Sequence, residues 1–76
     1  MIKRDELSLM HYVLAIPVGE PANLRTYPMP EKRLYAILVK WSDRGLWEYG
    51  VSPFSGWIPD RGKFAEHMAR VRRNVI

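Results

Sequence analysis

Proline and glycine limit the length of every element this chain can form. They cluster in "PVGEPAN" (17–23), "YPMPEK" (27–32), "SDRG" (42–45), "SPFSG" (52–56) and "IPDRG" (58–62). Proline presets φ and lacks a backbone donor, while glycine supplies positive φ without steric penalty, so each cluster reads as a turn. The intervals between them are short, which favours strands until the segment after Gly62, where several helical turns fit. At 76 residues there is material for one core, and with no cysteine neither a disulfide nor a thiolate metal site can staple it. Aromatic residues make up 12% of the chain and supply the compensation, since each buried Trp or Tyr removes ~150–250 Å² from water.

Residues 33–41, "RLYAILVKW", combine β-branched and aromatic side chains and read as a strand. Residues 46–52, "LWEYGVS", supply its hairpin partner. Asp43, Arg44 and Gly45 then form a three-residue loop in which Gly45 takes the left-handed position of a type I turn with a G1 bulge. This register gathers Tyr35, Ile37, Val39, Trp41, Trp47, Tyr49 and Val51 on one face, so the indoles point into the core. The other face receives Leu34, Ala36, Leu38, Leu46, Gly50 and a cross-strand Lys40–Glu48 pair.

Residues 10–18 read as a further strand, with Met10, Tyr12, Leu14, Ile16 and Val18 on one face. It returns through residues 19–22 to an edge strand near 24–27, beyond which Pro28 and Pro30 forbid regular pairing. The alternative for residues 5–14 is a helix with Leu7, Met10 and Leu14 on one side. Residues 61–74 read as a helix capped by Asp60, with Phe64, Met68, Val71 and Val75 recurring along one stripe. Its outer face carries Lys63, Glu66, His67, Arg70, Arg73 and Asn74, with Glu66 and Arg70 spaced for an i,i+4 pair. The expected fold is a single α+β domain over residues 1–76: a small antiparallel sheet of about four strands with one C-terminal α-helix packed on one face.

No catalytic set emerges. The serines sit in or next to turns or near the start, the acids are scattered, and the two histidines, His11 and His67, follow no known spacing. Neither a metal-ligand pattern nor a phosphate-cradling glycine motif is present, so the expectation is a protein without enzyme activity, metal or cofactor. The opening "MIKRDELSLMHYVLAIPV" mimics a secretory signal through Lys3 and Arg4. Asp5 and Glu6 spoil its charged part, and His11 and Pro17 interrupt its apolar part. No run approaches the ~20 apolar residues of a membrane span, so the expectation is a soluble, cytoplasmic protein with no membrane partner.

Two surfaces remain as candidates for binding. Residues 60–76 hold five Lys/Arg against two acids and so carry +3 of the total +4. Lys63, His67, Arg70, Arg72 and Arg73 form a basic stripe suited to nucleic acid or an acidic partner. Cations near a helix C-terminus also complement the dipole and aid solubility, which is the plainer account of the same residues. Leu34, Leu38 and Leu46 leave the second sheet face apolar, which suggests a docking or homodimer face unless the N-terminal segment folds over it. Phe54 and Trp57 are the aromatics expected to stay accessible. The reading is a small non-catalytic binding protein that docks on a larger macromolecular partner, a protein or nucleoprotein complex. By composition it resembles the phage-encoded inhibitors of host machinery. The alternative is a nucleic-acid-binding module using the basic helix.

Overall fold

The computed structural model describes residues 2–17 and 20–75, and it is α+β, with three helices and a small antiparallel sheet of three strands. The element order is α1 (Ile2–Leu14), β1 (Ala22–Asn23), α2 (Glu31–Asp43), β2 (Glu48–Tyr49), β3 (Ser55–Trp57) and α3 (Arg61–Val75). In the sheet, β3 is central, with Gly56 opposite Ala22 on one side and Tyr49 on the other.

The expected central hairpin is replaced by a helix. Residues 33–41 lie inside α2, where Leu34, Ile37, Leu38 and Trp41 are buried at i, i+3, i+4 and i+7. A strand would have buried Tyr35 with Ile37, yet Tyr35 is 50% exposed. Helix wins because α2 is rich in good helix formers (Glu, Lys, Arg, Leu, Ala), with only Ile37 and Val39 β-branched. Pro30 stands just ahead of its first turn, and Glu31 within that turn complements the dipole. Gly45 does adopt the left-handed conformation, at φ 74°, but as the stop of α2. Its N–H bonds to the Ser42 carbonyl (3.1 Å) and that of Leu46 to the Trp41 carbonyl (2.8 Å), the two bonds of a Schellman motif. Leu46 and Trp41 are both buried in the core, which supplies the hydrophobic contact that goes with it.

The N-terminal segment takes its helical alternative. In α1, Glu6, Leu9, Met10 and Val13 are buried at helical spacing, with Leu7 and Leu14 half-buried beside them. Val18 and Gly19, assigned to the end of a strand and its return, lie outside the described residues. The edge strand falls at Ala22–Asn23 rather than near 24–27, and the strand expected over 46–52 shrinks to Glu48–Tyr49. Lys40 and Glu48 therefore do not face each other; Lys40 bonds to Glu6.

The C-terminal helix forms as expected. Asp60 Oδ1 accepts the Lys63 backbone N–H at 3.1 Å, and Phe64, Met68 and Val71 face inward. The side chain of Val75 lies outside the described part. Its packing differs, for α3 lies on α1, and the Phe64 ring meets Trp41 of α2 edge-on at 5.2 Å. Arg61 donates to the carbonyls of Leu14 (3.2 Å) and Ile16 (2.6 Å), pinning the start of α3 to the end of α1. Both indoles point inward as anticipated, with Trp41 and Trp47 6.2 Å apart. The Trp47 N–H finds the Pro53 carbonyl at 3.0 Å.

Two glycines should respond differently to alanine. A Cβ on Gly56 would collide with the Glu48 carbonyl oxygen and stand 2.9 Å from the Trp47 indole nitrogen. The backbone of a paired strand has no room to yield, so Gly56→Ala is expected to cost about 2–3 kcal/mol. Gly45→Ala meets only the mobile end of Lys63, and its cost is the left-handed backbone, about 1–2 kcal/mol. Urea unfolding checks the order; a Gly56→Ala protein as stable as the parent contradicts the register of β2 and β3.

Candidate functional site

The first three turns of α3 and the stop of α2 enclose a basic depression. Lys63, His67 and Arg70 follow one another at i, i+4 and i+7, so they share one face of α3. The Schellman turn brings Arg44 and Leu46 up against that face, and the depression lined by these five residues and Glu66 measures about 390 Å³. Gly45 matters to its shape, because a Cβ there would sit 3.1 Å from the Lys63 ammonium.

Positive charge in the depression is in excess. Arg44, Lys63 and Arg70 are exposed, and among the described residues none of them has a carboxylate within 4 Å. Glu66 is the one acid on its wall, and it forms no ion pair with Arg70 among the described residues. Lys63 lies in the first turn of a helix that has no acid there. A cation at that end opposes the helix dipole, so dipole complementarity, which accounts for Arg72 and Arg73, does not account for Lys63.

Beneath the depression lies a carboxylate. Glu6 of α1 is 2% exposed. Its Oε1 accepts from Lys40 Nζ at 2.9 Å, and its Oε2 from the Trp41 indole N–H at 2.7 Å. His67 Nε2 lies 3.3 Å from the same Oε2. Burial pushes the Glu6 carboxyl up, but the bonds from Trp41, Lys40 and His67 outweigh it and hold the group below its usual range. His67 is thus a buried residue, 9% exposed, fixed from below by Glu6, and not the helix-surface histidine expected from spacing.

The structure divides the sequence-derived candidates. Lys63, His67 and Arg70 come together; Arg73 prolongs their stripe by one turn, and Arg72 projects from another side of α3 at ~100° per residue. Leu34, Leu38 and Leu46 are 2%, 0% and 2% exposed, so the open apolar sheet face does not exist, and a homodimer through it falls away. The reason is the change of period: as a helix, residues 33–41 turn these leucines to the core. Phe54 is also buried, with Tyr35 near its ring and the Arg25 guanidinium 5.3 Å from its centroid. Trp57 stays half-exposed, beside a groove of about 650 Å³ that Val13, Ile16, Trp47, Ile58 and Arg61 help to line. Arg44, Glu6 and Lys40 were not anticipated. Glu6 carried a signal, an acid on the helical stripe that leads through Leu9, Met10 and Val13.

Fold and depression together define a small α+β domain with a cationic hollow backed by a buried acid. Comparison with known proteins places it in no family: no family model matches the chain, and no curated protein or solved structure does. Among the described residues no helix is long and apolar enough to cross a membrane, and no three His, Asp or Glu side chains gather as a metal set.

Removing the Glu6 carboxylate leaves the buried Trp41 indole N–H without its acceptor, while Lys40 stays partly solvated, so Glu6→Ala is expected to cost about 1–3 kcal/mol at pH 7. Because the folded carboxyl is held below its ordinary value, its contribution is present above the pH at which the unfolded carboxyl titrates. It is lost as pH falls through the depressed native value. Urea unfolding between pH 7 and pH 3 should show this acid limb in the parent and not in Glu6→Gln. An identical pH profile for the two proteins contradicts the assignment.

Proposed function

We propose that the chain is a non-catalytic binding protein that docks on a larger macromolecular partner, and that it holds nucleic acid by its phosphates along α3. The observation that carries this reading is the convergence of Arg44, Lys63 and Arg70 without a carboxylate in salt-bridge reach among the described residues. Phosphate groups satisfy such a surface at small structural cost, because each contact releases condensed counterions from the nucleic acid. Arg73 extends the stripe along the helix, and the positive end of the α3 dipole adds to the potential at Lys63. The buried leucines favour this surface over the apolar docking face that the sequence suggested.

A second reading draws on Trp57. An indole 44% exposed beside an apolar groove is a common anchor of protein interfaces. It suits docking on a protein in the manner of a phage-encoded inhibitor.

The two readings separate by mutation. Replacing Arg70 and Arg73 together with Glu should lower affinity for DNA or RNA by more than about 100-fold, with the circular dichroism unchanged. Fluorescence anisotropy across a salt series should give the parent a log–log slope of roughly −3 to −4, as expected for four phosphate contacts. Binding that is insensitive to salt and to both substitutions, but lost in Trp57→Ala, would move the contact to the groove.

A further inference from the structure

The basic depression holds more charge than a run of phosphodiesters calls for. Arg44, Lys63 and Arg70 bring three cations to a hollow whose single acid is Glu66. A phosphodiester carries one negative charge, whereas a phosphomonoester carries ~1.5–2 at neutral pH and presents three acceptor oxygens. Its head presents as many terminal oxygens as the hollow has cations, whereas a diester turns two of its oxygens to the strand.

His67 points the same way. Its Nε2 is engaged with Glu6, and its Nδ1 has no hydrogen bond among the described residues. No buried side-chain nitrogen or oxygen among those residues lacks a partner, so Nδ1 is the ring atom left for solvent or for a group in the depression that His67 lines. A neutral imidazole whose Nε2–H is given to Glu6 offers Nδ1 as an acceptor, and an imidazolium offers it as a donor. A monoester pairs with both forms, because it can keep one acidic proton to give or present a bare oxygen to receive. A diester has no such proton. Glu6 completes the seat by fixing the ring: its carboxylate is held by Trp41 and Lys40, so the imidazole is oriented before any ligand arrives.

We infer that the depression formed by Arg44, Lys63, His67 and Arg70 seats a terminal phosphate monoester, the phosphorylated end of a nucleic-acid strand. This rests on the nucleic-acid reading above and narrows it: backbone phosphates follow α3 toward Arg73, and the strand end occupies the hollow.

Two short single-stranded oligonucleotides of one sequence, one with a 5′-phosphate and one with a 5′-hydroxyl, test it by fluorescence anisotropy, beside NMR titration with inorganic phosphate. The 5′-phosphorylated strand should bind about tenfold tighter or more, and Arg44→Gln should collapse that ratio toward one. Arg44 is exposed at the end of α2, so its substitution leaves the core intact, and circular dichroism verifies this. Inorganic phosphate should shift the His67 ring and Lys63 resonances in the parent and not in Arg44→Gln. Equal affinity for the two strands overturns the strand-end seat while leaving backbone binding in place. Failure of both strands to bind, with free phosphate still shifting His67, overturns the nucleic-acid reading and keeps the phosphate seat. A phosphoserine peptide that outcompetes the phosphorylated strand overturns the assignment of the partner to nucleic acid.

Discussion

The junction of the three helices depends on the carboxylate of Glu6. A charge at 2% exposure is sustained only when donors replace the water it has lost, and here Lys40, Trp41 and His67 do so from two other helices. The arrangement answers a problem set by the aromatic core. Trp41 is completely buried, and an indole N–H in such a place needs an acceptor. Glu6 provides it from a neighbouring helix, so one bond both satisfies the donor and fixes how α1 meets α2. An apolar pair of similar volume could match or exceed the stability of this ion pair, but it would not specify the angle at which the helices join.

The sequence was most legible where one period stood alone. Asp60, Phe64, Met68 and Val71 leave no second pattern to consider, and the helix they imply is α3. Gly45 was legible as a left-handed residue but not in its role, because a hairpin bulge and a helix stop require the same φ. Residues 33–41 were misread because Ile37 and Trp41 belong to both the two-residue and the 3.6-residue period. Leu34 and Leu38 broke the tie, being buried with Trp41 one and two turns along a helix. So did the punctuation, with Pro30 immediately before α2 and Gly45 directly after its C-cap, Arg44.

The candidate site was half legible for a related reason. Lys63 and Arg70 could be taken from α3 alone, since their spacing is a property of one helix. Arg44 could not, because it reaches the same hollow only through the backbone reversal at Gly45. His67 was placed on the surface by its spacing from Lys63 and Arg70. At the edge of the stripe it is close enough to the core side to reach Glu6. A residue at such a boundary is assigned by its partner rather than by its position, and the partner lay 61 residues away on α1.

That partner also ties the proposed site to the core. The bonds from Lys40, Trp41 and His67 all end on the Glu6 carboxylate, so the ring that lines the depression is tied to the contacts that join α1 to α2 and α3. In a chain this small the connection has a physical advantage. A site carried on flexible side chains alone loses affinity to the entropy of ordering them, whereas an imidazole already fixed by a buried acid has little left to lose. The three cations around it are exposed, and the absence of a Cβ at Gly45 leaves the Lys63 ammonium uncrowded. A fixed ring beside exposed, long-chained cations suits the compact phosphate head proposed for this hollow. There the ring would set the position of the head, and the cations would close on the oxygens it presents.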